Sequence, residues 1–148
     1  MIKTAFTERT GIKYPILQGG MQWVGTAELV IAVAEAGALG MLTALTQPTP
    51  QALAAEIQKT RLGTNKIFGV NLTILPAIVP PPYAEYVDVI IKSGIKIVET
   101  AGNNPGEHVA RLKKAGIIVI HKCTAIRHAQ SAAVVSNNTE NGRGFCIN

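Results

Sequence analysis

Short apolar runs, the last three carrying most of their isoleucine and valine, recur along the chain, beginning near residues 14, 39, 67, 95 and 117, with a helical pattern between each and the next. This alternation constrains the fold more than any other feature, because strands of that composition are buried on both faces and belong to parallel sheets. The runs are Tyr14–Leu17, Leu39–Leu42, Ile67–Leu72, Ile95–Val98 and Ile117–Ile120. Between them, Thr26 is placed to cap a helix through about Ala36, with Leu29, Val30 and Val33 on one face and Gly37 just beyond. The segment TQPTPQALAAEIQKTRLG has a threonine cap, Pro50 near the first turn, Leu53, Ile57 and Leu62 at helical spacing, and Gly63 at its end. Further helices are predicted from about Tyr83 to Ser93, from Pro105 to about Ala115, and from Ala125 to Val135, the first two closed by Gly94 and Gly116.

Repeating βα units call for right-handed crossovers, and two α/β folds satisfy them. An open doubly wound sheet is complete with five strands, whereas a (βα)8 barrel needs about 250 residues. Length favours the open sheet. The loop after the first strand argues against it, since Gly19-Gly20-Met21-Gln22-Trp23-Val24-Gly25 is neither GxGxxG nor a P-loop. Polar or glycine residues also recur at the strand C-terminal ends: Gly19 and Gly20, Thr43, Asn71 and Thr73, Glu99 and Thr100, then His121, Lys122 and Thr124. In a barrel these ends converge on one ligand. Periodicity alone leaves both folds open.

With 47% hydrophobic residues in a chain of 148, there is enough apolar material for one buried core. No run approaches the roughly 18 apolar residues of a membrane span, and MIKTAFTERTGIKYP is polar where a secretory signal is apolar. Two cysteines, Cys123 and Cys146, make no disulfide framework, so a reducing, cytoplasmic setting is expected. The net charge of +5 comes from scattered lysines and arginines with few aromatics between them, which points away from nucleic acid and suits a small anionic ligand or a solvated surface. His121, His128 and Cys123 fit no standard zinc spacing, and no metal site is expected.

Five blocks decide between the folds: PILQGGMQWVG at 15–25, AGALGMLTALTQPTP at 36–50, FGVNLTILP at 68–76, GIKIVETAGNNP at 94–105 and GIIVIHKCTAIRHA at 116–129. In this order they resemble the N-terminal half of the nitronate monooxygenase family, formerly the 2-nitropropane dioxygenases. The resemblance implies a partial (βα)8 TIM barrel of about five βα units whose barrel is not closed. It also implies an FMN-dependent oxidoreductase that oxidises alkyl nitronates with molecular oxygen. NADH-dependent flavin reductases of the quinone and enoyl-acyl-carrier-protein types share this barrel and remain alternatives.

Carried over residue by residue, the resemblance places the backbone of Gly20, Met21 and Gln22 against the isoalloxazine. It makes Asn71 a hydrogen-bonding partner of the ring, an amide that donates and accepts at once. Lys122, in HKCT, becomes the cation near the ring's N1 and C2 carbonyl that stabilises reduced flavin. Met21 and Trp23 line the pocket or pack in it. The family's base histidine follows a sixth strand and has no counterpart here. The expected organisation is residues 1–135 as the N-terminal barrel part and 136–148 as a polar tail outside the family pattern, as a frameshift or premature end would leave it. On that reading the fifth strand offers an unpaired edge, the apolar inner face meets water, FMN binding is weak or lost, catalysis is absent, and a noncatalytic fragment associating with itself through the open edge is a further alternative.

Overall fold

The computed structural model describes residues 2–75, 78–103 and 106–130, together with the backbone of 144–147. In chain order the elements are α1 (Ala5–Thr10), β1 (Leu17–Gln18), α2 (Ala27–Glu35), β2 (Leu39–Thr43), a 3-10 turn (Ala44–Thr46), α3 (Pro50–Gly63) and β3 (Gly69–Ile74). They continue with α4 (Tyr83–Lys92), β4 (Ile97–Gly102), α5 (Gly106–Lys114), β5 (Ile118–Lys122) and β6 (Gly144–Ile147). The strands form one sheet in the order β1-β2-β3-β4-β5-β6, every neighbouring pair parallel. A doubly wound sheet reverses its strand order at a switch point. This one never does, so the chain is an open part of a βα barrel.

The two faces of the sheet carry separate apolar clusters, as a period of two requires. Leu42, Val70, Leu72, Val98 and Val119 pack outward against Val30, Leu53, Ile57, Val87, Ile90, Val109 and Leu112 of the helices. Leu39, Met41, Ile97 and Ile120 form the inner cluster with Ile12, and Phe6, Leu17, Ile67 and Ile118 pack on it. The inner face was expected to meet water, yet Leu39, Met41, Ile97 and Ile120 are all buried. Helix α1, which no long apolar period announces in the sequence, contributes to this: Thr4 and Thr7 form a reciprocal capping box, and the short helix brings Phe6 to the inner cluster.

The strands lie further toward the C-terminus than the apolar runs suggest. β3 extends through Thr73 and Ile74, β4 through Glu99 to Gly102, and β5 through His121 and Lys122, so residues read as loop are part of the sheet. β1 is only Leu17–Gln18. In α3, Leu53 and Ile57 are buried as expected but Leu62 is 82% exposed, and Thr60 takes the inward position instead. Thr49 caps α3 by accepting the Ala52 N–H at 3.1 Å. Thr26 stands at the N-cap of α2 but makes no side-chain cap bond. The first N–H of that helix, from Ala27, is taken by Glu56 of α3 at 2.7 Å.

The edge of β5 is not open. Residues 144–147 pair with it in parallel, Val119 opposite Gly144 through Lys122 opposite Ile147. In the sequence the short Phe145-Cys146-Ile147 run follows the Asn- and Gly-rich stretch 136–143, whose composition reads as a polar tail. Residues 126–130 are helical, while 131–135 of the expected final helix lie outside the described residues, as do Pro105 and residues 137–139.

Candidate functional site

A parallel register aligns Thr43 with Asn71, Asn71 with Glu99, and Glu99 with Ile120. These residues form one row across the inner face. Below it the face is apolar; at this row it turns polar, and Thr73 and Lys122 lie two residues further along their strands on the same side. The row is thus the floor of the C-terminal mouth.

Glu99 is at its centre and is completely buried. Its Oε2 accepts two hydrogen bonds, from the Gly20 N–H at 2.8 Å and from Asn71 Nδ2 at 2.7 Å. Its Oε1 faces Lys122 Nζ at 3.6 Å, close enough for an ion pair and too long for a hydrogen bond, and has no hydrogen-bond partner among the described residues. A buried carboxylate is tolerated only when charge and donors surround it. Here an ammonium, an amide and a backbone N–H do so, with the Lys122 side chain 43% exposed toward the mouth. Asn71 is buried too, and its Oδ1 accepts from Thr73 Oγ1 at 3.1 Å.

The loop after β1 is fixed over this floor. Thr43 Oγ1 accepts the Met21 N–H at 2.9 Å and donates to the Met21 carbonyl at 3.0 Å. Gly20 is pressed so tightly on Asn71 that a Cβ there would lie 2.1 Å from Asn71 Cγ. Glycine is therefore demanded by the side chain beneath it. Met21, Trp23 and Val24 are exposed on the loop, as is Gln22. Trp23 has φ 67°, costly for a bulky residue, and is held there by donating its N–H to Thr46 Oγ1 at 3.0 Å.

The structure brings Gly20, Asn71 and Lys122 together around Glu99, and sets Met21 and Gln22 on the rim. The apolar pattern by itself marks Glu99 only as a polar strand end. Its signal was present: a single carboxylate inside the strand Ile97-Val98-Glu99-Thr100-Ala101, in a protein where such strands are buried on both faces. His121 belongs elsewhere. It lies on the outer face, where its Nδ1 hydrogen-bonds Thr100 Oγ1 at 2.9 Å. Burial, then the nearby His128, pushes its pKa below the ordinary histidine value, with the Thr100 contact opposing them. Cys123 is buried, its Sγ 3.8 Å from the His121 carbonyl.

A parallel, singly wound sheet with a polar floor at the C-terminal mouth defines the class: an open part of a βα barrel. The profile of the nitronate monooxygenase family matches residues 3–86, and the chain belongs to that family. A CoA-ester dehydrogenase of Mycobacterium tuberculosis (strain ATCC 25618 / H37Rv), named for 5-hydroxy-7a-methyl-1-oxo-octahydro-1H-indene-4-carboxyl-CoA, is 39% identical over 132 residues, covering 89% of this chain and 36% of that protein. A probable nitronate monooxygenase of Staphylococcus haemolyticus (strain JCSC1435) is 44% identical over 68 residues, 46% of this chain and 19% of that protein. Among solved structures, FabK from Thermotoga maritima superposes with a TM-score of 0.81 at 32% identity, covering 91% of this chain and 42% of that one. The chain thus spans well under half the length of these relatives. Members of the family are oxidoreductases.

Proposed function

We propose that this chain supplies the isoalloxazine-binding part of an FMN-dependent oxidoreductase barrel, with an alkyl nitronate and molecular oxygen as substrates. The observation that carries the reading is the polar floor, where Glu99, Asn71 and Lys122 meet the Gly20 backbone. Its donors suit a flavin: the Lys122 ammonium is half-exposed at the mouth, and Asn71 retains one N–H and one lone pair beyond its two internal bonds. A buried carboxylate oxygen without a donor also fits a floor completed by a ligand. Bound FMN would supply the hydride and electron transfer. Lys122 then balances negative charge on the reduced ring, and Met21, Gln22 and Trp23 form the rim. The base for the nitronate is assigned outside the described residues, because His121 faces the helices.

A second reading is chemistry on an acyl thioester with a nicotinamide partner. It is supported by the similarity to the CoA-ester dehydrogenase across 89% of the chain and by the FabK superposition. Titration of the purified chain with FMN, followed by flavin absorbance and fluorescence with light scattering on the same sample, tests the common part. Saturable but weak binding is expected, because the chain spans 36% of the CoA-ester dehydrogenase and 42% of FabK and so holds only part of a flavin site, and Lys122→Met should weaken it further. Its absence in a folded, monodisperse sample overturns the proposal. For the whole enzyme, oxygen uptake with a nitronate supports the first reading, and anaerobic bleaching of the flavin by NADH supports the second.

A further inference from the structure

The mouth of the half-barrel presents two groups side by side, and their chemistry is complementary to one kind of ligand edge. Among the described residues Glu99 Oε1 is an acceptor without a hydrogen-bond donor, and 3.6 Å away Lys122 Nζ is a donor with a half-exposed side chain. The other carboxylate oxygen is already saturated by Gly20 and Asn71, which fixes the plane and orientation of the group. An adjacent acceptor and donor match an N–H beside a carbonyl, the pattern of an amide or imide edge. The isoalloxazine has one such edge, N3–H between the C2 and C4 carbonyls.

We propose that Glu99 reads the imide edge of the flavin, accepting its N3–H through Oε1 while Lys122 donates to the neighbouring carbonyl. The inference rests on the flavin reading above. In the unliganded arrangement Oε1 is enclosed, with Lys122 Nζ 3.6 Å away and Gly19 so close that a Cβ there would lie 3.1 Å from it, so ligand entry requires the ammonium to shift toward the carbonyl it will meet. Ring recognition is thereby coupled to the placement of the charge. A carboxylate so used is a ligand-binding residue, and it also holds the Gly20 backbone in place.

Because Gly20 and Asn71 both donate to the Oε2 side, an amide at position 99 must keep its oxygen there and turn its NH2 toward the Oε1 side. Glu99→Gln therefore converts the ligand-facing acceptor into a donor. The test compares FMN with N3-methylated FMN on the full chain, with dissociation constants read from flavin fluorescence and folding checked by circular dichroism. Wild type should bind FMN at least roughly tenfold more tightly than the methylated analogue, since a hydrogen bond to a charged acceptor is lost. Glu99→Gln should bind FMN more weakly and discriminate less than about twofold between the two. Equal binding of both flavins by wild type, or undiminished discrimination by Glu99→Gln, overturns the inference while leaving flavin binding intact. If the variant does not fold, the wild-type comparison decides by itself. If folded wild type binds neither flavin, the flavin reading fails and this inference with it.

Discussion

At position 20 the chain has no alternative to glycine, because the Asn71 side chain occupies the space a Cβ would take. Gly20→Ala is therefore expected to cost about 1–3 kcal/mol, the usual range for overpacking, and to weaken FMN binding. Chemical denaturation and FMN titration check the two effects. Asn71→Asp should be more damaging, since it replaces a donor to Glu99 with a second buried carboxylate. Its loss of stability should shrink as the pH is lowered toward carboxylate protonation, which denaturation at several pH values measures. His121 gives the opposite dependence. Its folded pKa lies below the usual value of about 6.5, so below that pH the unfolded chain takes up a proton that the folded chain refuses. Stability should fall as pH drops from 7 through 6.5 toward the depressed value, and His121→Gln should flatten this slope. The motifs around Gly20, Asn71 and Lys122 were legible because each residue stands in a recognisable block. Glu99 was not, since a carboxylate after Ile97-Val98 looks like a strand end until the register shows that the strand runs on to Gly102.

Among the elements, α2 shows how local signals and tertiary contacts divide the work. A threonine before a helical pattern predicts a self-contained cap, and Thr49 provides one for α3. Thr26 does not, and Glu56 reaches across from α3 to take the Ala27 N–H. A carboxylate at a helix N-terminus is favourable through the hydrogen bond and the helix dipole. Glu56→Ala should thus cost about 1 kcal/mol, whereas Thr26→Ala should stay within roughly 0.5 kcal/mol, a contrast that urea denaturation resolves. The same two helices are linked by the Lys59–Glu28 ion pair. Lying at the surface, that pair is sensitive to salt and contributes little. Strand boundaries followed a similar rule. The apolar centres were readable, but Glu99 and Lys122 are polar residues retained in strands by pairing with neighbours rather than by their own propensity.

At the scale of the whole molecule, the sheet is bounded among the described residues by β1 and β6. Removing residues 144–148 would uncover β5, and unpaired strand edges promote association. The shortened chain is expected to grow in mass with concentration by light scattering more steeply than the chain that retains β6. From β1 to α5 and β5 the order and kind of the strands and α-helices were determined by sequence alone, because a short apolar run and a 3.6-residue apolar period are local and independent of partners. Tertiary structure decided the rest. The unbroken strand order distinguishes a barrel from a doubly wound sheet. The packing of α1 helps to bury the inner face, and β6 covers an edge the composition left open. Parallel register turns Thr43, Asn71 and Glu99 into one floor, although they are 28 residues apart at each step. No local pattern encodes such contacts, since they exist only once distant strands share hydrogen bonds.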